Sequence, residues 1–319
     1  MTFSHADCWV WDFWIADDGD TYHLYYLRAP RALGDPDLRH RNASVGRATS
    51  TDLRSWTDHG VVLTAGSPGD DDATATWTGC VVRGDDGLWR MFYTGSRFLA
   101  DDSNANIETV CVATSRDLHT WTKSGTVLSA DPRWYERLSD GTWREEAWRD
   151  PWVYQDAAGQ WHMLLTARAS GGDPLDRGVI AHATSTDLVT WQAQSPVSEP
   201  GAGFLHLEVP QFAVIDGSGV VLFSCDSAHL TGARDGQQGG IWVVSVEDPA
   251  AGVDAREAVR LLDERYYSGR AVPTRDGGWV LLAFENIGAG GDFIGRLSDP
   301  MPLHGGPAGL AVDAEEATV

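Results

Sequence analysis

The 319-residue sequence is short of basic side chains: 24 Lys and Arg stand against 46 Asp and Glu, a formal charge of −22. Nucleic acid and anionic membrane surfaces select basic protein faces, so neither is expected as a partner. No apolar run approaches the ~20 residues of a membrane span. The start, MTFSHADCWVWDFW, lacks a basic segment followed by an apolar one. No signal peptide is read there, and a cytoplasmic protein is expected. Cysteine is scarce. Cys8, Cys80, Cys111 and Cys225 show no C-x-x-C spacing, which argues against a zinc site or a disulfide framework. No G-x-S-x-G elbow is present for a serine nucleophile. No long amphipathic helix interrupts the chain. No metal or other cofactor is implied.

Tryptophan, by contrast, is abundant, with 15 residues in a chain that is 42% hydrophobic. Indole faces fill cores, and they also stack on the apolar faces of sugar rings. Three segments repeat: SVGRATSTDLRSWTDHGVVL (44–63), TVCVATSRDLHTWTKSGTVL (109–128) and VIAHATSTDLVTWQAQSPVS (179–198). They share A-T-S-x-D-L-x-x-W. Their aspartates, Asp52, Asp117 and Asp187, recur in every copy, which assigns them to turn chemistry. A second series occurs five times, an Asp/Gly turn followed by an alternating apolar run. These runs start at Tyr22, Trp89, Trp161, Val220 and Trp279, and each follows another strand-like stretch.

Short antiparallel sheets repeated around an axis make a β-propeller. The expected architecture is all-β: one domain over 1–319, with five blades near 9–63, 74–128, 147–198, 206–263 and 267–300. The Gly/Pro/Ala-rich tail after Pro300 reads as a loose end or a closing strand.

The first strand of each blade lines the central channel. These strands begin at Asp12, near Thr78, at Asp150, at Glu208 and near Ser268. Similar offsets to the paired strands put the three carboxylates at one height. Like charges so close push at least one pKa up, which is how carboxyl groups are sorted into acid and nucleophile. Arg149 supplies a fixed positive charge beside Asp150. Trp11, Trp77, Trp148 and Trp152 are candidate walls for a sugar, with core packing an equal alternative for the last three. Thr78 is a candidate sugar contact. His206 alternates onto the face of Glu208. The acidic run 70–72 reads as a calcium site or, preferably, a solvated loop. DLRHRN (37–42) reads as acceptor contacts or, preferably, a solvated loop. Two carboxyls flanking a scissile bond are the machinery of glycoside hydrolysis.

At these residues the chain resembles glycoside hydrolase families 32 and 68, five-bladed propeller enzymes acting on fructofuranosides. WVWDFW resembles the block carrying the aspartate nucleophile, WRDPW the Arg-Asp-Pro of the transition-state stabiliser, and LEVPQ the segment of the acid/base glutamate. The resemblance implies Asp12 as nucleophile, Asp150 as stabiliser and Glu208 as general acid/base. WTGC resembles a segment that touches the sugar. Family 32 usually has N-D-P-N at the nucleophile, and many members have a glutamine where this chain has Leu27. The C-terminal β-sandwich typical of family 32 has no room in this length.

The implied activity is a retaining β-fructofuranosidase or fructosyltransferase acting on small oligosaccharides, with a covalent fructosyl-Asp intermediate. Two alternatives remain open: an inverting arabinofuranosidase or xylosidase like those of family 43, and a non-catalytic glycan-binding propeller. Homo-oligomerisation is left open.

Overall fold

The structure of the protein, a computed structural model, describes residues 2–306 and 309–313. Met1 and residues 314–319, the ends of the expected 1–319 span, lie outside the described residues. Five sheets are arranged as the blades of a β-propeller. Blade one comprises Cys8–Asp17, Tyr22–Pro30, Ser44–Ser50 and Thr57–Leu63, hydrogen-bonded in that order. Blade two comprises Ala75–Arg83, Trp89–Phe98, Asn106–Ser115 and Thr122–Leu128. The two-residue strand Glu145–Glu146 is added parallel to its third member. Blade three is Trp148–Gln155, Trp161–Arg168, Gly178–Ser185 and Gln192–Gln194. Blade four is Glu208–Ile215, Ser218–Cys225, Gly240–Ser245 and Val259–Asp263.

Blade five begins with Tyr266–Pro273 and Trp279–Ile287. Its third position is split: Phe293–Leu297 pairs one half of the second strand and Met301–Gly306 the other, with Gly309–Val312 outermost. The described part of the tail beyond Pro300 therefore supplies two outer strands of blade five. Apolar faces of neighbouring blades interlock. Trp14, Tyr25, Met91 and Cys111 share one cluster between blades one and two. Met163, Val179, Phe92 and Trp191 share the next. Gln211 of blade four exchanges two amide hydrogen bonds, both 2.8 Å, with the Ala271 backbone of blade five, and the ring closes between blades five and one, where Val10, Phe13 and Tyr22 share a cluster with Val272, Leu282 and Leu297.

The recurrent turns carry the chemistry expected of them. Asp52, Asp117 and Asp187 each accept backbone N–H bonds from the residues two and three further on, at 2.7–2.8 Å. The following Leu53, Leu118 and Leu188 take φ of 60–61°, an unusual conformation for a bulky residue. Each is buried against its blade, which offsets the local strain. The acidic run is not simply a solvated loop. Asp72 is buried and accepts from Tyr93 Oη (2.8 Å) and Lys123 Nζ (2.5 Å), while Asp71 accepts from Thr126.

Three hairpins also pair a turn aspartate with a cationic or imidazole side chain on the second strand: Asp18 with His23, Asp86 with Arg90 and Asp156 with His162. In blade three His162 Nδ1 lies 2.9 Å from His182 Nε2, and the rings stack. Burial, with the neighbouring His162, pushes the buried His182 down to about 4. The unfolded chain titrates near ~6.5 and so binds this proton first as pH falls. Stability is therefore present above pH ~6.5 and is lost as pH falls toward about 4, by up to about 3 kcal/mol. Urea unfolding of His182→Gln across pH 4–8 should show a flatter acid limb than the parent.

Candidate active site

Every inner strand carries a bulge at the same level. In blade one the register jumps from Val10↔Arg28 to Phe13↔Tyr26, leaving Trp11 and Asp12 together opposite Leu27. The equivalent jumps fall at Thr78, Asp150–Pro151, Val209–Pro210 and Ser268–Gly269. A bulge kinks its strand and re-aims a side chain. Here five bulges turn five side chains or amides toward the channel mouth. In blade two the bulge packs so closely that a Cβ on Gly79 would lie 2.2 Å from the Phe92 carbonyl oxygen, so the third residue of WTGC must be glycine.

Three bulged residues have positive φ: Asp150 (60°), Val209 (55°) and Ser268 (52°). Such conformations cost about 1–3 kcal/mol each and persist only when the surroundings fix them. Each amide freed by the bulge is caught by a second-strand hydroxyl of the preceding blade. Asp150 N–H donates to Thr94 (2.9 Å), Val209 N–H to Thr166 (3.2 Å) and Ser268 N–H to Ser224 (3.0 Å). The strained positions therefore double as latches between blades.

These bulges correct the equal-height expectation. Glu208 pairs with Ser224 just before its bulge, as Arg149 pairs with Thr166 and Tyr267 with Phe284. Val209, not Glu208, occupies the place that Asp150 holds. The hairpin turns differ in length, so similar offsets in sequence are not equal heights in the channel. Glu208 reaches the site because its side chain is longer and starts one residue earlier.

Asp12, Asp150 and Glu208 nonetheless line one cavity of about 480 Å³ at the mouth of the channel. Asp12 accepts from Thr78 Oγ1 on Oδ2 and from Ser268 Oγ on Oδ1, both at 2.5 Å. Burial pushes its carboxyl above the usual range, the two hydroxyls pull it back, and Glu208 pushes it up again. Asp150 is buried and accepts on Oδ2 from Thr166 Oγ1 (2.8 Å) and Val209 N (3.1 Å). Burial raises it to about 6, against the pull of Arg149. Glu208 is bridged by Arg149, which donates to Oε1 at 2.8 Å, and by Tyr267 Oη, which donates to Oε2 at 2.5 Å.

Arg149 is the hub of these acids. Its guanidinium also donates to Glu108 (3.1 Å) and Glu145 (3.2 Å), and Nε lies 3.8 Å from Asp150. Burial opposes its charge, but the four carboxylates hold it protonated far into the alkaline range. Glu108 is fully buried, accepts also from Asn106 and the Trp148 amide, and is raised to about 7 by burial.

Of the other expected site residues, Trp11, Trp77, Thr78, Arg149 and His206 line the cavity. Trp148 and Trp152 do not. Trp148 is fully buried against Tyr135 in the core between blades two and three. Trp152 packs between blades three and four, under Arg270. Simple alternation would put residues two before and two after Asp150 on its own face, and the register shift at Asp150–Pro151 breaks that pattern. The segment 37–42, expected as a solvated loop, forms a 3₁₀ turn over Pro36–Asn42, and its residues 37–41 wall the cavity. Trp77 Nε1 donates to the His40 carbonyl at 2.7 Å, and Arg39 lies over Phe293 at 4.1 Å.

Sequence reasoning missed Glu108, Glu145, Tyr267, Asp226 and His229, all on the cavity wall. Tyr267 was within reach from the heads of the inner strands, since it stands in blade five where Glu208 stands in blade four. Glu108 carries a fainter signal, an acid inside the otherwise apolar strand NIETVCVATS.

Residues 15–286 match the family model described as the glycosyl hydrolases family 32 N-terminal domain. The match begins just after Asp12. A raffinose invertase from Escherichia coli is 28% identical over 278 residues, 83% of this chain and 52% of that protein. A sucrose-6-phosphate hydrolase from the same organism is 27% identical over 216 residues, 67% of this chain and 40% of that protein. The chain thus spans about half the length of the curated relatives it matches. Among solved structures, an inulosucrase from Halalkalicoccus jeotgali bound to kestose superposes with TM-score 0.82 at 20% identity, covering 99% of this chain and 92% of that one. A Bombyx mori β-fructofuranosidase superposes with TM-score 0.73 at 18% identity, covering 99% and 64%.

Proposed function

The chain belongs to glycosyl hydrolase family 32, and from that premise we propose that it is a retaining β-fructofuranosidase with a latent capacity for fructosyl transfer. The observation that carries this reading is the convergence of Asp12, Asp150 and Glu208, from three different blades, on one cavity around Arg149.

In the proposed reaction an Asp12 carboxylate oxygen attacks the anomeric carbon of a fructofuranosyl unit. The bond to the leaving oxygen breaks as Glu208 gives that oxygen a proton. The Thr78 and Ser268 hydroxyls share the charge of Asp12 and fix its orientation. A proton on Glu208 Oε2 reverses the Tyr267 bond, so that the phenol oxygen accepts it, while Arg149 stays on Oε1. Asp150, held by Thr166 and the Val209 amide, is proposed to grip ring hydroxyls as positive charge develops at the anomeric carbon. Water then attacks the fructosyl–Asp12 ester, Glu208 takes the water proton, and Asp12 is released as carboxylate. An acceptor sugar in place of water gives transfer.

The test is product analysis. Incubation with sucrose, raffinose, kestose and levan oligosaccharides should release free fructose. With methanol as acceptor, NMR should show the methyl fructoside with the anomeric configuration of the substrate. No sugar released from any fructoside would overturn the reading, and an inverted methyl fructoside would overturn its retaining step.

A further inference from the structure

Just past the five bulges the channel holds a guanidinium to which the proposed reaction gives no role. Arg270 is the first regularly paired residue after the bulge of blade five, opposite Leu282. Phe13 of blade one and Trp152 of blade three hold the same place in their own strands. The Arg270 side chain crosses the channel at that level. Its Nε donates to the Phe13 carbonyl (3.4 Å), and its Nη1 to the carbonyls of Val209 (3.4 Å) and Pro210 (3.1 Å) in blade four. Its Cζ lies 5.1 Å from the centre of the Trp152 ring. From blade five this one side chain reaches blades one, three and four.

The charge has no counter-ion in contact. Arg270 is 2% exposed, and its Nη2 has no hydrogen-bond partner. Among the described residues it forms no ion pair. A buried charge is costly unless it is paired, and an apolar side chain of similar volume avoids that cost. A guanidinium in this place calls for negative charge nearby. Burial pushes Arg270 down to about 10, against the pull of Asp150, Cys80 and Asp12.

The two aspartates divide the available cations unequally. Asp150 shares Arg149 with Glu108, Glu145 and Glu208. Asp12 forms no ion pair among the described residues. Its contacts are the neutral hydroxyls of Thr78 and Ser268, and burial and Glu208 both oppose its charge. Arg39, on the cavity wall, attracts it, but that guanidinium also lies 3.6 Å from Asp37. Arg270 attracts it from the channel and has no carboxylate of its own.

We propose that Arg270 is a positioning residue for the nucleophile: a fixed cation in the channel that holds Asp12, and with it Asp150, as carboxylates. It does not line the cavity, so it acts through these two acids and not on the sugar. The proposal rests on the fructosidase reading, in which Asp12 must attack in its charged form.

The test is the pH profile of kcat/KM on sucrose, whose acid limb reports the group that must be ionised in the free enzyme. Arg270→Met keeps the volume and a contact for Trp152 but removes the charge. Its acid limb should move upward by about one pH unit. Arg270→Lys keeps the charge and loses the fork to three carbonyls, so its limb should stay with the parent's even where its unfolding midpoint falls. An unmoved limb in Arg270→Met would overturn the proposal. So would an equal move in Arg270→Lys, which would mark the effect as one of shape. Urea unfolding at pH 5 and pH 8 reads the same charge without turnover. Above the pKa values of the two acids Arg270→Met buries carboxylates that have lost a cation, so its stability relative to the parent should be lower at pH 8 than at pH 5. A difference independent of pH would also overturn the proposal. Parent protein that releases no fructose would instead defeat the fructosidase reading. Arg270→Gln, also neutral, takes the place of Arg270→Met if that variant fails to fold.

Discussion

Replacing Asp12 by Asn should lower kcat on sucrose by about 10⁴-fold, a loss of ~5.5 kcal/mol of transition-state stabilisation. The size follows from the proposed role. An amide oxygen is a far weaker nucleophile than a carboxylate, and no neighbouring group can form the ester in its place. Thr78 and Ser268 bind Asp12 but are neutral hydroxyls, and Glu208 is tied to Arg149 and Tyr267. The same substitution should not destabilise the fold. Burial has raised the Asp12 pKa, so the folded state disfavours the ionised form. The stability this group contributes at acid pH is lost as pH rises through its folded pKa. Asparagine carries no such penalty, and both hydroxyls can rotate to suit an amide. Loss of turnover with an unchanged or higher unfolding midpoint at pH 7.5 is the expected pairing. A second variant tests nucleophilicity itself: Asp12→Gly with azide should form fructosyl azide of inverted configuration. If Asp12→Asn retained more than about a hundredth of parental kcat, Asp12 would not be the nucleophile.

The residues behind that prediction were legible to unequal degrees. Turn–strand repeats and A-T-S-x-D-L turns are local signals, and the five-bladed wheel follows from them because Asp/Gly turns and alternating runs dictate hairpins wherever they occur. The heads of the inner strands were legible too, because a charged residue opening an apolar strand has few bland uses. Register within the channel was not. It depends on five bulges, and three of them are held by amides that donate to side-chain hydroxyls of the preceding blade, such as Asp150 N–H to Thr94 and Ser268 N–H to Ser224. Those partners lie tens of residues away in sequence. For the same reason alternation misplaced Trp148 and Trp152, which flank the acid but turn into the blade interfaces. The acids that surround Arg149 were the least visible. Glu108 and Glu145 come from the edge of blade two, and nothing in their local sequence says that a guanidinium from blade three will reach them.

That guanidinium carries the other large effect expected here. Arg149→Met should destabilise the protein by about 3–5 kcal/mol, the range for removing one partner of a buried ion pair and leaving the other uncompensated. More than one acid would be stranded. Glu108 is fully buried and already raised to about 7, and Asp150 is buried and raised to about 6, each with Arg149 present to hold it down. Without the positive charge both rise further. A carboxyl whose folded pKa lies above its unfolded value contributes stability below the unfolded pKa and loses it as pH rises through the folded one. The deficit should therefore be largest above about pH 7 and shrink toward pH 5, where Glu108 and Asp150 bind protons and the variant no longer buries naked charge. Turnover should fall as well, because Glu208 loses its Arg149 bond and Asp150 is no longer held ionised. Arg149→Lys should recover part of the stability through its charge but little of the activity, since one ammonium cannot span Glu108, Glu145 and Glu208 as the guanidinium fork does. Urea unfolding of the two variants and the parent at pH 5 and pH 8 distinguishes this account from simple packing loss. A deficit of equal size at both pH values would mean that the charge of Arg149 is not what holds the hub together.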